Sequence, residues 1–250
     1  MILLCYFDCN CRAGFETVPV VKFSRTTGEL LREMDFFGIN KALVMDSETF
    51  YDRPTPRPIR SDRLLPVLNF LPYRNVQELS RENLKQTICE GRYAAIRFQP
   101  LKGRYGLDAE LFHEELLLFE QMRLPMLLDL NVPGQEYFLD YGAVKRFLQG
   151  VPELPVILMN TSYRIDLSLY PLMEQFPKLC VETSGYQGYH AIEELVERFG
   201  SRRIVFGSRY PFYYPGASRC RVETAELSEQ DRKRIAYQNL QEMVEAVRYD

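Results

Sequence analysis

Arginines, amides and carboxylates recur at the ends of short apolar runs in this chain. Asn10 and Arg12 follow ILLCYFDC, Arg97 lies in YAAIRFQP, Asp129 closes PMLLD, Asn160 closes PVILMN, Glu182 sits in LCVETSG and Arg209 follows RIVFGS. Arg164 comes just after Asn160, and Asn69 stands in LLPVLNF. A guanidinium offers a planar fork of donors that matches a carboxylate or phosphate, and an asparagine adds a donor and an acceptor. A face built from Arg12, Arg97, Arg164 and Arg209 with Asn10, Asn69 and Asn160 therefore favours an anion. The segment SGYQG, ahead of a helix, adds backbone donors of the kind that bind anions at a helix start. Tyr186 belongs to this segment and, with Tyr163, Tyr189, Tyr210, Phe212 and Tyr213, either lines a pocket for a ring-shaped ligand or packs loops.

Proton transfer on such a face would fall to Asp129, Glu182 or His190, the last able to titrate near neutral pH. Neighbouring arginines work against a carboxylate base, because positive charge lowers its pKa. A structural reading stands beside the catalytic one. Asp8, Asp46, Asp129 and Glu182 can neutralise the arginines inside a filled core, and buried arginines without partners would cost roughly several kcal/mol.

Metal chemistry finds few donors. The chain has two histidines, His113 and His190, and His113 falls within an expected helix, where it is read as structural. Cys5, Cys9 and Cys11 have a spacing zinc favours, but no second Cys or His pair completes four ligands. Alternation along a strand sets Cys5, Phe7, Cys9 and Cys11 on one face and Tyr6, Asp8, Asn10 and Arg12 on the other. The thiols are thus expected to pack under helices. No metal and no other cofactor is expected.

The elements that must position these groups can be read from the apolar pattern. Eight strand-length runs begin at residues 2, 41, 64, 93, 125, 155, 179 and 203. Their continuous apolar character marks strands covered on both faces. Between them lie helical segments. The first starts at Thr27 as N-cap, carries Leu30, Leu31, Met34 and Phe37, and stops at Gly38. Others are expected over 75–89, 108–122, 136–148, 167–176 and 189–199. A last helix opens with Ser228 and Asp231 as a capping pair and presents Ala236, Leu240, Met243, Val244 and Val247 as a stripe that closes the barrel. Strand–helix alternation of this length predicts an α/β fold, a (β/α)8 TIM barrel spanning 1–250 as a single domain. An open doubly wound sheet is the alternative, and no glycine-rich dinucleotide fingerprint follows the first strand to support it. Pro54, Pro56 and Pro58 stiffen the loop at 47–63, which follows strand two and is expected to cover the mouth.

The charge balance narrows the partners. With 31 basic and 34 acidic residues intermixed, the net charge of -3 gives neither a nucleic-acid footprint nor a polybasic membrane patch. The opening apolar run is interrupted by Asp8 too soon for a signal peptide or a membrane span, so a cytoplasmic protein with reduced thiols is expected. The expected partner is a small anionic metabolite, and self-association into a homo-oligomer is left open.

FDCNCRAG resembles the opening Asp-x-His-x-His strand of the amidohydrolase superfamily, and ELLREMDFFGINKALV resembles the helix and strand after it. RIVFGSRYPF resembles the Phe-Gly-Ser-Asp-x-Pro eighth strand, and AELSEQDRKRIAYQNLQEMV its closing helix. The likeness is to the amidohydrolase-related branch of metal-dependent hydrolases and decarboxylases and covers nearly the whole chain. It implies a slightly distorted barrel with a metal held by strand-end histidines and an aspartate. At those places this chain has Asn10, Arg12, Asp129, Asn160 and Arg209, so the resemblance implies a degenerate metal site. Two functions follow as expectations. One is a metal-independent hydrolase or lyase acting on a small carboxylated or phosphorylated compound, a lactone among them. The other is a non-catalytic pseudoenzyme that binds an anionic metabolite or a protein partner.

Overall fold

Each of the eight apolar runs forms a strand in the computed structural model, which describes residues 4–14, 22–46, 61–72, 81–132, 138–162 and 166–250. The loop at 47–63, except for 61–63, lies outside these residues, as do Tyr163 and Arg164. The strands are β1 (Phe7–Ala13), β2 (Lys41–Asp46), β3 (Leu64–Phe70), β4 (Ala95–Phe98), β5 (Met126–Asp129), β6 (Val156–Met159), β7 (Cys180–Glu182) and β8 (Ile204–Val205). They pair in sequence order, every pair parallel. Two backbone bonds draw the ends of the sheet together, Cys9 N–H to the Phe206 carbonyl and Arg12 N–H to the Tyr210 carbonyl, both at 3.0 Å. The result is a nearly closed (β/α)8 barrel.

The helices between and after the strands are α1 (Thr27–Phe37), α2 (Arg81–Gly91), α3 (Pro100–Gly103), α4 (His113–Met122), α5 (Tyr141–Gly150), α6 (Asp166–Gln175), α7 (Ala191–Phe199), α8 (Pro215–Thr224), α9 (Glu229–Lys233) and α10 (Asn239–Glu245). A π turn at Arg234–Gln238 joins the last two. Local chemistry sets several starts differently from the sequence reading. Helix α1 is capped by Thr26 rather than Thr27: Thr26 accepts the Glu29 N–H and Glu29 accepts the Thr26 N–H. Only Thr26 has a glutamate three residues on to complete that reciprocal pair. Asp108 does not open α4; its carboxylate takes the N–H groups of Glu110 and Leu111 in a turn, and the helix starts at His113. Asp140 caps α5 by accepting the Ala143 N–H at 2.7 Å. Ser228 caps α9 through the Asp231 N–H, as its position suggests.

Strand alternation divides the core into two shells. Inside the barrel pack Phe7, Cys9, Leu43, Met45, Val67, Ala95, Leu127, Ile157, Met159, Cys180 and Val205, with Leu240, Tyr237, Met243 and Val244 of the C-terminal segment against them. Outside, under the helices, pack residues such as Ala42, Val44, Ile96, Phe98, Leu128, Leu158 and Ile204. Phe7 and Cys9 therefore share a face as expected, but it is the interior one and not the helix-covered one, while Cys11 departs from the alternation and is exterior. The β1–β2 register shifts between Asp8 and Cys11, and such a bulge turns the residues beyond it to the opposite face. Among the described residues no helix is long and apolar enough to cross a membrane.

Candidate functional site

In a parallel barrel the inward positions at the C-terminal strand ends, and the loops after them, project into the mouth. Arg97 near the end of β4 and Gln99 beyond it, Asp129 at the end of β5 and Glu182 at the end of β7 occupy this level. Past its bulge, β1 brings Asn10 and Arg12 to the same level. The chain reaches it after β6 and β8 by turning left-handed, with Asn160 at φ 60° and Arg209 at φ 59°. Asparagine tolerates that conformation, whereas for arginine it is strained and requires support from the surroundings.

These side chains form one lattice. Arg97 sets Nε and Nη2 on Oδ1 of Asp129 at 2.9 and 2.8 Å, while Arg12 Nη2 and Gln99 Nε2 donate to Oδ2 at 3.1 and 2.7 Å. Arg97 Nη2 also donates to Asn10 Oδ1 at 3.0 Å, and Asn10 Nδ2 donates to Asn160 Oδ1 at 3.1 Å. Glu182, fully buried, accepts from Asn160 N, Ser184 N, Ser184 Oγ and, at 3.4 Å, Asn10 Nδ2. These four donors are all neutral. Gly207 permits this arrangement, because a Cβ there would lie 2.3 Å from Oε2 of Glu182.

Arg209 is 6% exposed and bonds to neutral groups, Asn131 Oδ1 at 3.1 Å and the Tyr213 hydroxyl at 3.0 Å, with its guanidinium 4.8 Å from the Tyr213 ring centre. Its Nε is buried without a hydrogen-bond partner, as are Nδ2 and Oδ1 of Asn69, Oε1 of Gln99 and Nδ2 of Asn160. Asn69 pairs in register with Arg97. The open atoms thus come from β3 and from the chain just beyond β4, β6 and β8. Of these residues Gln99 lines a cleft, with Leu101, Lys102, Asp129, Asn131 and Val132, that is too narrow to seat a water-sized sphere.

Burial raises the Asp8 carboxyl to about 6, against the opposing effect of hydrogen bonds from Ser208 Oγ and the N–H groups of Asn10 and Ser208. The Cys9 and Cys11 thiols are pushed well above their ordinary range by burial, which keeps them neutral. Among the described residues no group of three or more His, Cys, Asp or Glu side chains stands together as a metal set.

Of the groups singled out from the sequence, Asn10, Arg12, Arg97, Asp129, Asn160 and Glu182 meet in the lattice, and Arg209 stands beside it through Asn131. Arg164 lies outside the described residues. His190 and Tyr186 do not join the lattice: both line a separate cavity beside α7 and α8. Tyr186 packs in the outer shell and His190 is half exposed, 3.5 Å from Glu193. Gln99, Asn131 and Ser184 join the site without having been singled out, yet each stands two residues beyond Arg97, Asp129 or Glu182. The strand period extends the inward face to them. Ser208, which holds Asp8, lies inside the FGS stretch of the eighth-strand motif.

A family model described as amidohydrolase matches residues 162–243. No curated protein sequence matches the chain. Among solved structures, 2,6-dihydroxybenzoate decarboxylase from Rhizobium is similar at TM-score 0.77 and 14% identity, covering 97% of this chain and 99% of that one. The 5-carboxyvanillate decarboxylase from Novosphingobium aromaticivorans, solved with bound manganese, gives TM-score 0.75 and 13% identity over 97% of both chains. An uncharacterised TIM-barrel protein from Bordetella bronchiseptica gives 0.74 and 12%, over 97% of this chain and 99% of that one. The resemblance to the amidohydrolase superfamily thus holds in sequence over the C-terminal third and in fold over nearly the whole chain.

Proposed function

We propose that this amidohydrolase-like barrel has exchanged a metal site for a lattice of arginine, carboxylate and amide groups, and that it binds a small hydroxylated carboxylate without turning it over. The observation that carries this reading is the saturation of Asp129. An ionised carboxylate has about four lone-pair positions, and here Arg97 approaches Oδ1 through two nitrogens while Arg12 and Gln99 take Oδ2. No position is left for a divalent ion or for a substrate proton. Guanidinium groups have no lone pair to give a metal, and two of them beside Asp129 would repel a dication. A divalent metal does not fit these residues. Glu182 is similarly engaged by Ser184, Asn160 and Asn10, and His190 lies away from the lattice.

What supports binding is the set of buried atoms with no partner. Leaving such an atom unsatisfied costs about 1–3 kcal/mol, and Asn69, Gln99, Asn160 and Arg209 together present donors and acceptors. A ligand carrying a carboxylate for Arg209 and a hydroxyl for the amides answers both. Structural relatives named for dihydroxybenzoate and carboxyvanillate handle compounds of that class. Since the cleft beside Gln99 does not seat even a water-sized sphere, binding requires its lining side chains to move.

Calorimetry and thermal unfolding with dihydroxybenzoates, sugar acids and phosphorylated sugars test the proposal. A hydroxylated carboxylate is expected to bind and stabilise, with affinity falling about tenfold or more in Arg209→Ala, the loss of a charge-assisted bond. If none of these compounds binds, the binding half fails. Turnover of any of them that Asp129→Asn abolishes would overturn the non-catalytic half.

A further inference from the structure

A second cavity, roomier than the cleft of the mouth, lies away from it. It measures about 300 Å³ and lies between the start of α7 and the end of α8, a size at the lower end of small-molecule sites. Its apolar surfaces come from Tyr186, Ile192 and Ala225, and its polar groups are Arg221, His190, Glu193 and Glu226.

Arg221 is the unusual member. It is half buried, and its Nη2 donates to the Ser184 carbonyl and to Ser218 Oγ, both at 3.0 Å and both neutral. Its Nε is buried with no partner. Burial lowers its basicity, offset in part by the charge of Glu182. A guanidinium removed from water and held by neutral groups lacks an anion. The two glutamates of the cavity do not supply it, since neither forms an ion pair with Arg221 among the described residues. Glu193 accepts the Glu226 N–H at 2.9 Å and faces His190 at 3.5 Å, and the Glu226 side chain is exposed. The lining thus combines two carboxylates, Glu193 and Glu226, with a guanidinium that has no carboxylate partner among the described residues, a combination suited to a ligand carrying both signs. At the rim Tyr189 is 94% exposed, its ring edge-on to His190 at 4.1 Å.

From this geometry we infer that the α7–α8 cavity is a second binding site, for a small zwitterion of the α-amino-acid type with an apolar side chain. The carboxylate pairs with Arg221, the ammonium sits between Glu193 and Glu226, and the side chain lies against Ile192, Ala225 and the Tyr189 ring. The site is independent of the ligand proposed for the mouth.

Saturation-transfer NMR and calorimetry on the full chain with L-leucine and L-phenylalanine test it, with propionate and propylamine as single-charge controls. The amino acids are expected to bind in preference to both controls. Glu226→Gln, at an exposed position that leaves the fold intact, and Arg221→Lys, which keeps charge but loses the planar fork of the guanidinium, are each expected to weaken binding about tenfold. Arg209→Gln, in the mouth, leaves it unchanged. The inference is overturned if neither amino acid binds, if propionate or propylamine binds equally well, or if Glu226→Gln binds as tightly as the parent. Should Arg221→Lys fail to fold, Glu226→Gln decides alone.

Discussion

Arg97 approaches a single oxygen of Asp129 with two nitrogens, at 2.9 and 2.8 Å, and so leaves the other oxygen to Arg12 and Gln99. Asp129 is thereby the anion shared by both cations, and all three side chains are almost fully buried. Removing it takes from both guanidinium groups the carboxylate they share. Breaking a buried ion pair from one side costs about 3–5 kcal/mol, and Asp129→Asn is expected to lose that much in urea unfolding. A cost below about 1 kcal/mol, the level of an exposed pair, would mean that water reaches the lattice and competes for its donors.

The arginines of the mouth should separate by experiment. Arg12 is bound to a carboxylate and stacks 5.4 Å from the Phe212 ring centre, so Arg12→Met is expected to cost about 2 kcal/mol of stability, the worth of a charged hydrogen bond. Arg209 has neutral hydrogen-bond partners and an open Nε. Its replacement by Met should cost about 1 kcal/mol or less, since two neutral bonds are lost while an unsatisfied donor is removed. Equal losses in chemical denaturation would place Arg209 among the structural cations.

The barrel is legible in the sequence because each strand is covered on both faces and reads as a continuous apolar run. A strand falls at every such run, though β1 begins only at the end of its run, whereas helix starts are legible only where the cap lies in a complete pattern. Ser228 with Asp231 is readable, but Thr26 and Thr27 separate only when the glutamate of the box, Glu29, is counted from each threonine in turn. Thr26→Ala should reduce stability by about 1 kcal/mol and Thr27→Ala by little, measured by urea unfolding. The lattice is half legible. Strand ends give Arg97, Asp129 and Glu182, while Cys11 leaves the face it was expected to share with Phe7 and Cys9 because a bulge cannot be read from alternation. Which carboxylate pairs with which arginine depends on the meeting of β1, β4 and β5 across the mouth, and that relation is non-local.

Asp8 gives a pH signature. Its carboxyl is raised from 3.8 to about 6 in the folded protein, so between those values the folded state holds a proton that the unfolded state has released. Stability from this group is therefore greatest at low pH and falls as pH rises from about 4 to 6. In Asp8→Asn that contribution is absent. Unfolding free energies measured across this range should show the parent losing stability relative to the variant, with a slope approaching about 1.4 kcal/mol for each pH step of one. Parallel curves would mean that Ser208 and the Asn10 N–H hold the Asp8 charge better than burial opposes it.

A structurally similar barrel carries manganese, and the lattice bears on what binding a metal here would take. If histidines alone were missing, Asn10→His and Arg12→His with Arg209→Asp would be enough to bind zinc or manganese. The hydrogen bonds argue otherwise. Arg97 would still occupy Oδ1 of Asp129 and bring a permanent positive charge to the site. The triple variant is therefore expected to retain far less than one equivalent of metal after dialysis, and to gain no thermal stability from added metal. Adding Arg97→Ala frees Asp129 and removes the repulsion, and only then should elemental analysis approach one equivalent. Stoichiometric metal in the unaltered protein, or in the triple variant with Arg97 intact, would refute the view that arginine and carboxylate have taken the place of the metal.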